Sequence, residues 1–538
     1  MVAAPSAMTT ATAVSESPPV TKAALRDFSD WLSPMLVKEL RQGLKSPVFT
    51  WGLIAMQMAL AIMALVAMDS GNDRDANRFF WWSVAGVVCV LLPMRVANAL
   101  RDEMGGNTLD TLVLTRLSAW RITLGKWLAT SALQLLVAMT VLPYLIMRYF
   151  AGGVNMPMEL AWLGIYVVFG LLVTAVMLGL SWFRYFLVRA VLMLGVIFGA
   201  MGFCGGTISV ISRANDYGLD VFYRELGWPG IICLLTGVVW VAFFFLDLGA
   251  AQIAPRAENR ATRRRLVALA VFVTVSICCF CFKDREGGVV ISMMLLVAMT
   301  LPCIQALCEL PANYAPVLQP FVKRGMAGRL AGRFLYPGWH TGLCFCLLVA
   351  VTGITLFTWH YYQMRVRWGS TGLYDRMEYF LTLMLSASAG VVGAMILPLV
   401  IWRLFRRMEQ WNFWRWMTVL LAAVVFHMLV MIAAWRMESP GLNRVNHALP
   451  TAGLLVDAEA DMEASSQWRA RNEQRNQYNY WEDRQREEHQ IAQVLCIVSL
   501  CSLAVWLGAA LWLAAKEMRL TRSAETELAA ELKRARET

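Results

Sequence analysis

The chain has 538 residues, of which 58% are hydrophobic and only 16% are charged, and its formal net charge is +11. Soluble domains average about 25% charged residues, so this composition excludes an ordinary soluble globular domain. Long uncharged runs, each close to the roughly 20 helical residues that cross a bilayer core, predict an all-α integral membrane protein instead.

The chain begins with a polar segment and an amphipathic helix. Residues 1–30 are rich in Ala, Ser, Thr and Pro and lack the basic start and apolar run of a secretory signal, so we expect a disordered tail. Ser33 is suited to cap a helix that starts at Pro34. At 100° per residue one face of this helix is apolar, which predicts an interfacial elbow helix before the first span; its apolar residues are Leu36, Val37, Leu40 and Leu44.

About twelve apolar runs follow, each long enough to form a transmembrane helix. A long loop joins the second and third runs of each set of six, and a segment on the opposite side joins the fifth and sixth, which predicts two six-helix halves at 31–250 and 251–515 and a cytoplasmic tail at 516–538. Chance agreement is the alternative, because any twelve-helix chain divides at six. The runs lie near 51–68, 79–100, 126–147, 159–181, 188–211, 228–248, 266–282, 289–308, 338–359, 379–402, 416–435 and 490–515.

Basic residues are unevenly distributed among the loops. If the N-terminus is cytoplasmic, the loops on its side of the membrane carry clearly more Lys and Arg than the others, and 255–266 and 403–415 are typical of them. Because positively charged loops stay inside, both termini are predicted to be cytoplasmic. The net charge then reflects contact with anionic lipid, and nothing else in the sequence favours a nucleic-acid partner.

The longest loop on the other side, 436–489, is strongly charged. Its part 457–490 contains neither Gly nor Pro and has i,i+4 ion pairs such as Glu482 with Arg486. This pattern predicts a helix that runs directly into the last span. We expect a solvated helix without a ligand, with a gate or docking surface as the alternative.

The sequence holds no recognisable catalytic motif. The phosphate-binding loop G-x-x-x-x-G-K-[ST], the zinc motif H-E-x-x-H and the elbow G-x-S-x-G are all absent. The 12 Cys lie in or beside the apolar runs, as buried packing residues do. We therefore expect neither enzyme activity nor catalytic residues, and neither a metal site nor a resident cofactor.

Ionisable side chains are nearly absent from the interiors of the predicted spans. Asp247 and Glu309 lie at inner ends, Arg95 near an inner end and Glu159 at an outer end, and only His427 lies mid-span. Ion-coupled carriers usually need a carboxylate or similar relay at depth, so this distribution weakens ion coupling. We expect His427 to be a hydrogen-bonded packing residue, with a proton carrier as the alternative.

The loop between the second and third runs carries the most specific pattern in the chain. Residues 103–126 read EMGGNTLDTLVLTRLSAWRITLGK. They resemble a segment of the type E-x-x-x-G-T-L-E…L-L-L-T-P-L-S…L-G-K in the membrane subunit of ABC-2 type transporters, with departures at Asn107 and Arg116. The matching residues are Glu103, Thr108, Leu109, Asp110, Leu112, Val113, Leu114, Thr115, Leu117, Ser118, Leu124, Gly125 and Lys126.

This resemblance covers the first six spans best and implies a permease, mostly of the exporting kind, in the bacterial inner membrane. In that family the segment is a coupling helix that rests in a groove of a separate ATP-binding subunit. ATP would thus be bound by the partner, and the chain would either form the pathway alone or dimerise in the lipid. The implied coupling residues are Glu103, Asn107, Thr108, Leu109, Asp110, Leu112, Val113, Leu117 and Ser118.

The physical chemistry of the segment suits that role. Leu109, Leu112, Val113 and Leu117 share one face of a short helix that begins near Thr108. Ser118 is suited to cap the next helix, which continues without a break into the third span, so a load on the short helix would pass along continuous backbone. A helix lying on the protein's own loops is the local alternative.

Two other classes of function stay open on sequence alone. An ion-coupled secondary transporter would show ion dependence and have no ATPase partner. A non-transporting membrane scaffold would use the 436–489 loop as its working part. The uncharged interior of the spans favours a lipid-like or amphipathic cargo over a charged one.

Overall fold

The computed structural model is almost entirely helical in the residues it describes, and no strand occurs among them. The predicted all-α fold class is therefore confirmed for that part of the chain. The described residues are 34–70, 74–101, 118–151, 155–181, 186–214, 219–254, 259–281, 285–311, 314–368, 374–405, 413–437, 445–471 and 480–537. The predicted tail at 1–30 lies outside them.

Twelve of the described helices are long and apolar enough to cross a membrane, and each overlaps one predicted run. They indicate a multi-pass membrane protein. Spans 1 to 12 are Pro47–Ser70, Asp75–Arg101, Ala119–Ala151, Met156–Leu180, Phe186–Ala214, Leu219–Ile253, Arg260–Cys281, Arg285–Cys308, Trp339–Trp368, Tyr374–Phe405, Phe413–Arg436 and Tyr480–Glu537. The other helices are Pro34–Leu44 (the N-terminal helix), Ala315–Val322, Gly325–Leu335, the 3₁₀ turn Pro450–Leu454 and Val456–Arg471.

Span 2 is the irregular helix of the bundle. Its α-helix gives way to a π-helical stretch at Gly86–Leu91, followed by Pro93 and a 3₁₀ turn at Arg95–Asn98. The carbonyl of Val88, inside the π stretch, accepts a hydrogen bond from Nε2 of Gln134 on span 3 at 3.0 Å. Proline removes a backbone donor and π-bulges interrupt the helical ladder, so the regular α-helical bonding of span 2 is interrupted between Gly86 and Asn98.

Span 3, Ala119–Ala151, is α-helical over all of its 33 residues, although Pro143 lies inside it. It begins as predicted at Ser118, whose Oγ accepts a hydrogen bond from the backbone N–H of Arg121 at 3.4 Å. At 1.5 Å per residue the helix is about 50 Å long. At its other end a buried ion pair joins Arg148 to Glu159 at the start of span 4, with Nη1 and Oε2 3.0 Å apart.

Buried apolar residues form two large cores. One joins spans 1 to 5, and the other joins spans 6 to 12. Span 6 contributes Phe244 to the second core, while its neighbour Leu246 packs with residues of spans 2, 4 and 5. Span 6 is therefore the helix on which the two groups meet.

The segment before span 12 folds back into the bundle. Residues 445–454, which we name the inserted segment, run along span 10, and a Cβ at Gly390 or Gly393 would overlap with their backbone. Gly390 lies near the middle of the apolar stretch Glu378–Leu404. The inserted segment thus reaches about half-way along span 10.

The predicted helix before span 12 is present, but the prediction of a solvated helix was wrong for its first part. Val456, Ala460 and Ala464 of Val456–Arg471 are all buried. These residues are spaced four apart, so they share one face of the helix, and that face packs inward. From Tyr480 the chain does run directly into span 12, as predicted.

At Gly393 the backbone of span 10 lies directly against the inserted segment. A methyl group there would overlap with the carbonyl of Pro450, and overpacking costs about 1–3 kcal/mol. We expect Gly393→Ala to lower the thermal midpoint of the detergent-solubilised protein, measured by size-exclusion recovery after heating.

The matched control is Gly199→Ala in span 5, where a Cβ would meet no atom within 4 Å. Equal midpoints for the two variants would contradict the close approach of the inserted segment to span 10.

Candidate functional site

We name one end of the bundle the basic end; it carries the N-terminal helix, Ser118 and the arginine run that opens span 7. The predicted coupling residues from Glu103 to Leu117 lie outside the described residues. Ser118 lies within them, exposed at the start of span 3. The structure therefore describes the helix that follows this segment.

The N-terminal helix is fixed to span 3 beside that start. Nζ of Lys126, largely buried, lies 2.9 Å from Oε1 of Glu39, and Gly43 fits against Leu133, whose Cδ1 would be 2.7 Å from an added Cβ. The lysine of the L-G-K motif thus holds this helix. On its predicted apolar face, Leu36, Val37 and Leu40 are half-buried. Leu44 is exposed.

The first turn of span 3 also contacts the second group of spans. The guanidinium of Arg263, on span 7, lies over the ring of Trp120 with its carbon 5.0 Å from the centroid, and over Phe243 of span 6 at 5.5 Å. An arginine over an aromatic face is an attractive contact. Trp120 is two residues after Ser118, so this contact connects the start of span 3 to spans 6 and 7.

Asp247 forms the centre of the basic end. Its carboxylate is 0% exposed and binds three arginines of span 7. Nη1 of Arg260 lies 3.4 Å from Oδ1, Nε of Arg264 lies 2.9 Å from Oδ2, and Arg263 also donates to Oδ1. A buried carboxylate needs such partners, so the end of span 6 and the first turns of span 7 are held together by charge.

Arg265 extends the same cluster to span 8. Its side chain is 2% exposed, and Nη2 lies 2.6 Å from Oε2 of Glu309. Nη1 donates to the carbonyl of Tyr336 at 2.7 Å and to Oγ1 of Thr341 at 3.0 Å. One guanidinium therefore ties span 7 to the end of span 8 and to the start of span 9.

The last part of span 12, residues 516–537, which we name its extension, packs on this end of the bundle. The Tyr336 hydroxyl donates to Oε1 of Glu525 at 2.7 Å, and Nη2 of Arg403 on span 10 lies 2.5 Å from Oε1 of Glu517. Burial, together with the Glu525 carboxylate, raises the pKa of the Tyr336 phenol above its ordinary value, so the phenol keeps its proton. Leu318 and other apolar residues of the linker between spans 8 and 9 pack on the same extension.

The sequence reasoning missed this cluster. It placed Asp247 and Glu309 at span ends and read 255–266 as a basic loop, but Arg260–Cys281 is a single helix whose first residues point into the protein. The available signal was the helical spacing of Arg260 and Arg264 next to an apolar run that ends in Asp247. Hydropathy alone cannot distinguish a buried arginine from a solvated one.

Comparison of the chain with known protein families, with curated proteins and with solved structures gives no significant match. Within the described ranges, no group of three or more His, Cys, Asp and Glu side chains is arranged to hold a metal ion. The basic end is therefore characterised by its own contacts, which are those of a structural joint between helices.

Neutralising Asp247 tests this joint. Asp247→Asn leaves three guanidinium groups around an uncharged amide, and removing one partner of a buried ion pair costs about 3–5 kcal/mol. We expect a markedly lower thermal midpoint in detergent. The midpoint is measured from the fluorescence of a thiol-reactive dye, which reacts as the buried cysteines become accessible.

The control is Glu527→Gln, whose side chain is exposed and whose replacement should change stability by only about 0.5 kcal/mol. An unchanged midpoint in Asp247→Asn would show that the three arginines do not depend on this carboxylate.

Proposed function

We propose that the chain is the membrane-spanning permease subunit of an ATP-driven transporter of the ABC-2 type, working as an exporter with a separate ATP-binding subunit. The observation that carries the proposal is the segment 103–126, whose pattern resembles the coupling region of that family. On this proposal the basic end and both termini face the cytoplasm of a bacterial cell, and the N-terminal helix is the elbow helix.

The contacts at the basic end support a route for mechanical load. A partner that moves residues 103–117 would act at once on Ser118 and on the uninterrupted helix of span 3. The contact between Trp120 and Arg263 would pass the load to Asp247 and so to spans 6 and 7. Span 2, with its π-helical stretch, is the helix that can bend to permit the movement.

The second group of spans offers a matching surface. Between spans 8 and 9, at the position that 103–117 takes between spans 2 and 3, the chain forms the short helices Ala315–Val322 and Gly325–Leu335. Met326 and Leu330 are exposed on the second of them. We infer that a second ATP-binding subunit contacts this surface, so that the two proposed halves form one pathway in a single chain.

The test uses the coupling segment itself. Replacing Leu109 and Leu112 together by Asp puts two charges on the face that would enter the partner's groove. We expect the tagged wild-type chain, purified from its native host, to bring down a nucleotide-binding protein identified by mass spectrometry. With the double variant the yield of this protein should fall by about tenfold or more, because each lost apolar contact is worth about 1.5–3 kcal/mol.

Thr111→Asp is the matched control, because Thr111 lies off the apolar face and should leave the yield of partner unchanged. The proposal fails if no nucleotide-binding protein accompanies the wild-type chain, or if the double variant retains it fully. Ion-dependent transport by the purified chain alone would favour a secondary transporter instead.

A further inference from the structure

A chain of six buried polar side chains connects the inserted segment to spans 11 and 12. Nδ1 of His427 lies 3.0 Å from Oδ1 of Asn446, and Nδ2 of Asn446 donates to Oε1 of Glu459 at 3.0 Å. Oε2 of Glu459 lies 2.8 Å from Nε2 of His447, whose Nδ1 lies 3.1 Å from the hydroxyl of Ser499. The hydroxyl of Thr451 completes the chain, 2.5 Å from Nε2 of His427.

These groups lie at depth among the spans. The apolar stretch of span 12 begins at Glu487, and Ser499 lies twelve residues, or about 18 Å of helix, further along it. The inserted segment reaches still further, since Nε1 of Trp506 donates to the carbonyl of Ala448 at 3.1 Å. All six side chains are buried, and Glu459 is only 2% exposed. Glu459 was overlooked in the sequence because it lies in a polar loop rather than in an apolar run.

One assignment of protons satisfies every bond in this chain. Thr451 donates to Nε2 of His427, and Nδ1–H of His427 donates to Asn446. The Glu459 carboxylate then accepts from Asn446 and from Nε2–H of His447, while Ser499 donates to Nδ1 of His447. In this state both imidazoles are neutral and the cluster carries one net negative charge.

In this state no cationic group in the described part of the chain is hydrogen-bonded to the Glu459 carboxylate, which carries the negative charge. Among the described residues the Glu459 carboxylate is bonded by Asn446 and His447 alone. An isolated charge is costly to bury. A proton added at Nδ1 of His447 removes the net charge, creates an imidazolium–carboxylate pair and reverses the bond to Ser499, whose hydroxyl then donates to a backbone carbonyl one turn earlier, as helical serines do.

We propose that His447 and Glu459 form a proton-binding site, which takes one proton from the aqueous face at the end of the bundle opposite the basic end. Asp457 and Asp461 are exposed on the opposite face of the same helix from Glu459. Charged or titratable groups on the surrounding elements are Glu378 and Tyr379 on span 10, Arg436 on span 11, Glu463 on the helix, and Glu487, Glu488, His489, Cys496 and Cys501 on span 12.

This site is separate from the proposed coupling to an ATP-binding subunit. The proton binds between spans 11 and 12 and the inserted segment, whereas the coupling region adjoins spans 2 and 3. A proton there would hold the inserted segment in place by pairing His447 with Glu459. Its presence can be measured on the purified chain in lipid without ATP or any partner.

The experiment is a pH titration of the full chain, labelled with ¹⁵N-histidine and reconstituted in lipid, followed by solid-state NMR. Ring nitrogens distinguish imidazole from imidazolium, and the 5 His are assigned from single His→Gln variants. We expect lowering the pH to convert His447 from imidazole to imidazolium, with the added proton at Nδ1. In Glu459→Gln its imidazolium population should fall by about tenfold at the same pH.

The matched control is Glu525→Gln, which replaces another buried carboxylate at the basic end and should leave the His447 titration unchanged. The proposal is overturned if wild-type His447 stays neutral throughout, if Glu459 takes the proton instead, or if Glu459→Gln titrates as the wild type does. Should Glu459→Gln not fold, as judged by size exclusion, the wild-type titration decides alone.

Discussion

The buried carboxylate of Asp247, surrounded by Arg260, Arg263 and Arg264, is the interaction on which the arrangement of the spans depends. An unpaired carboxylate at the end of an apolar helix would be expelled to water, and so would the arginines. Together they are stable only if span 7 begins against the end of span 6. This pairing fixes the point at which the two apolar cores meet.

The same joint determines how movement at the basic end would spread. Arg263 reaches from Asp247 to Trp120 at the start of span 3, and Arg265 reaches from span 7 to Glu309 and to the linker before span 9. Ion pairs and cation–π contacts have preferred geometries, so on the proposed function they would carry displacement from one helix to the next. An ATP-driven permease, as proposed, needs such a connection between its coupling segment and the rest of the bundle.

At the end of the second core opposite the basic end, the described polar groups of the inserted segment are buried without the arginine–carboxylate pairs found at Asp247. Apolar surroundings require every buried polar group to find a partner within the protein. The inserted segment meets this requirement through short 3₁₀ turns of its backbone and through side chains, from His427 to Ser499. Small residues make the arrangement possible, because Gly390, Gly393 and Gly453 let backbone approach backbone. Titratable groups are thereby held at a depth where a change of one charge matters.

The sequence by itself determined the twelve spans, the N-terminal helix, the cap at Ser118 and the uninterrupted course of span 3, because apolar runs and capping are local properties. Only the tertiary structure decided that Arg265 and Asn446 are buried and that Glu459 lies beside His447. These outcomes depend on pairs of residues distant in the chain. A charged side chain reads as solvated in sequence until the partner that compensates its burial is known.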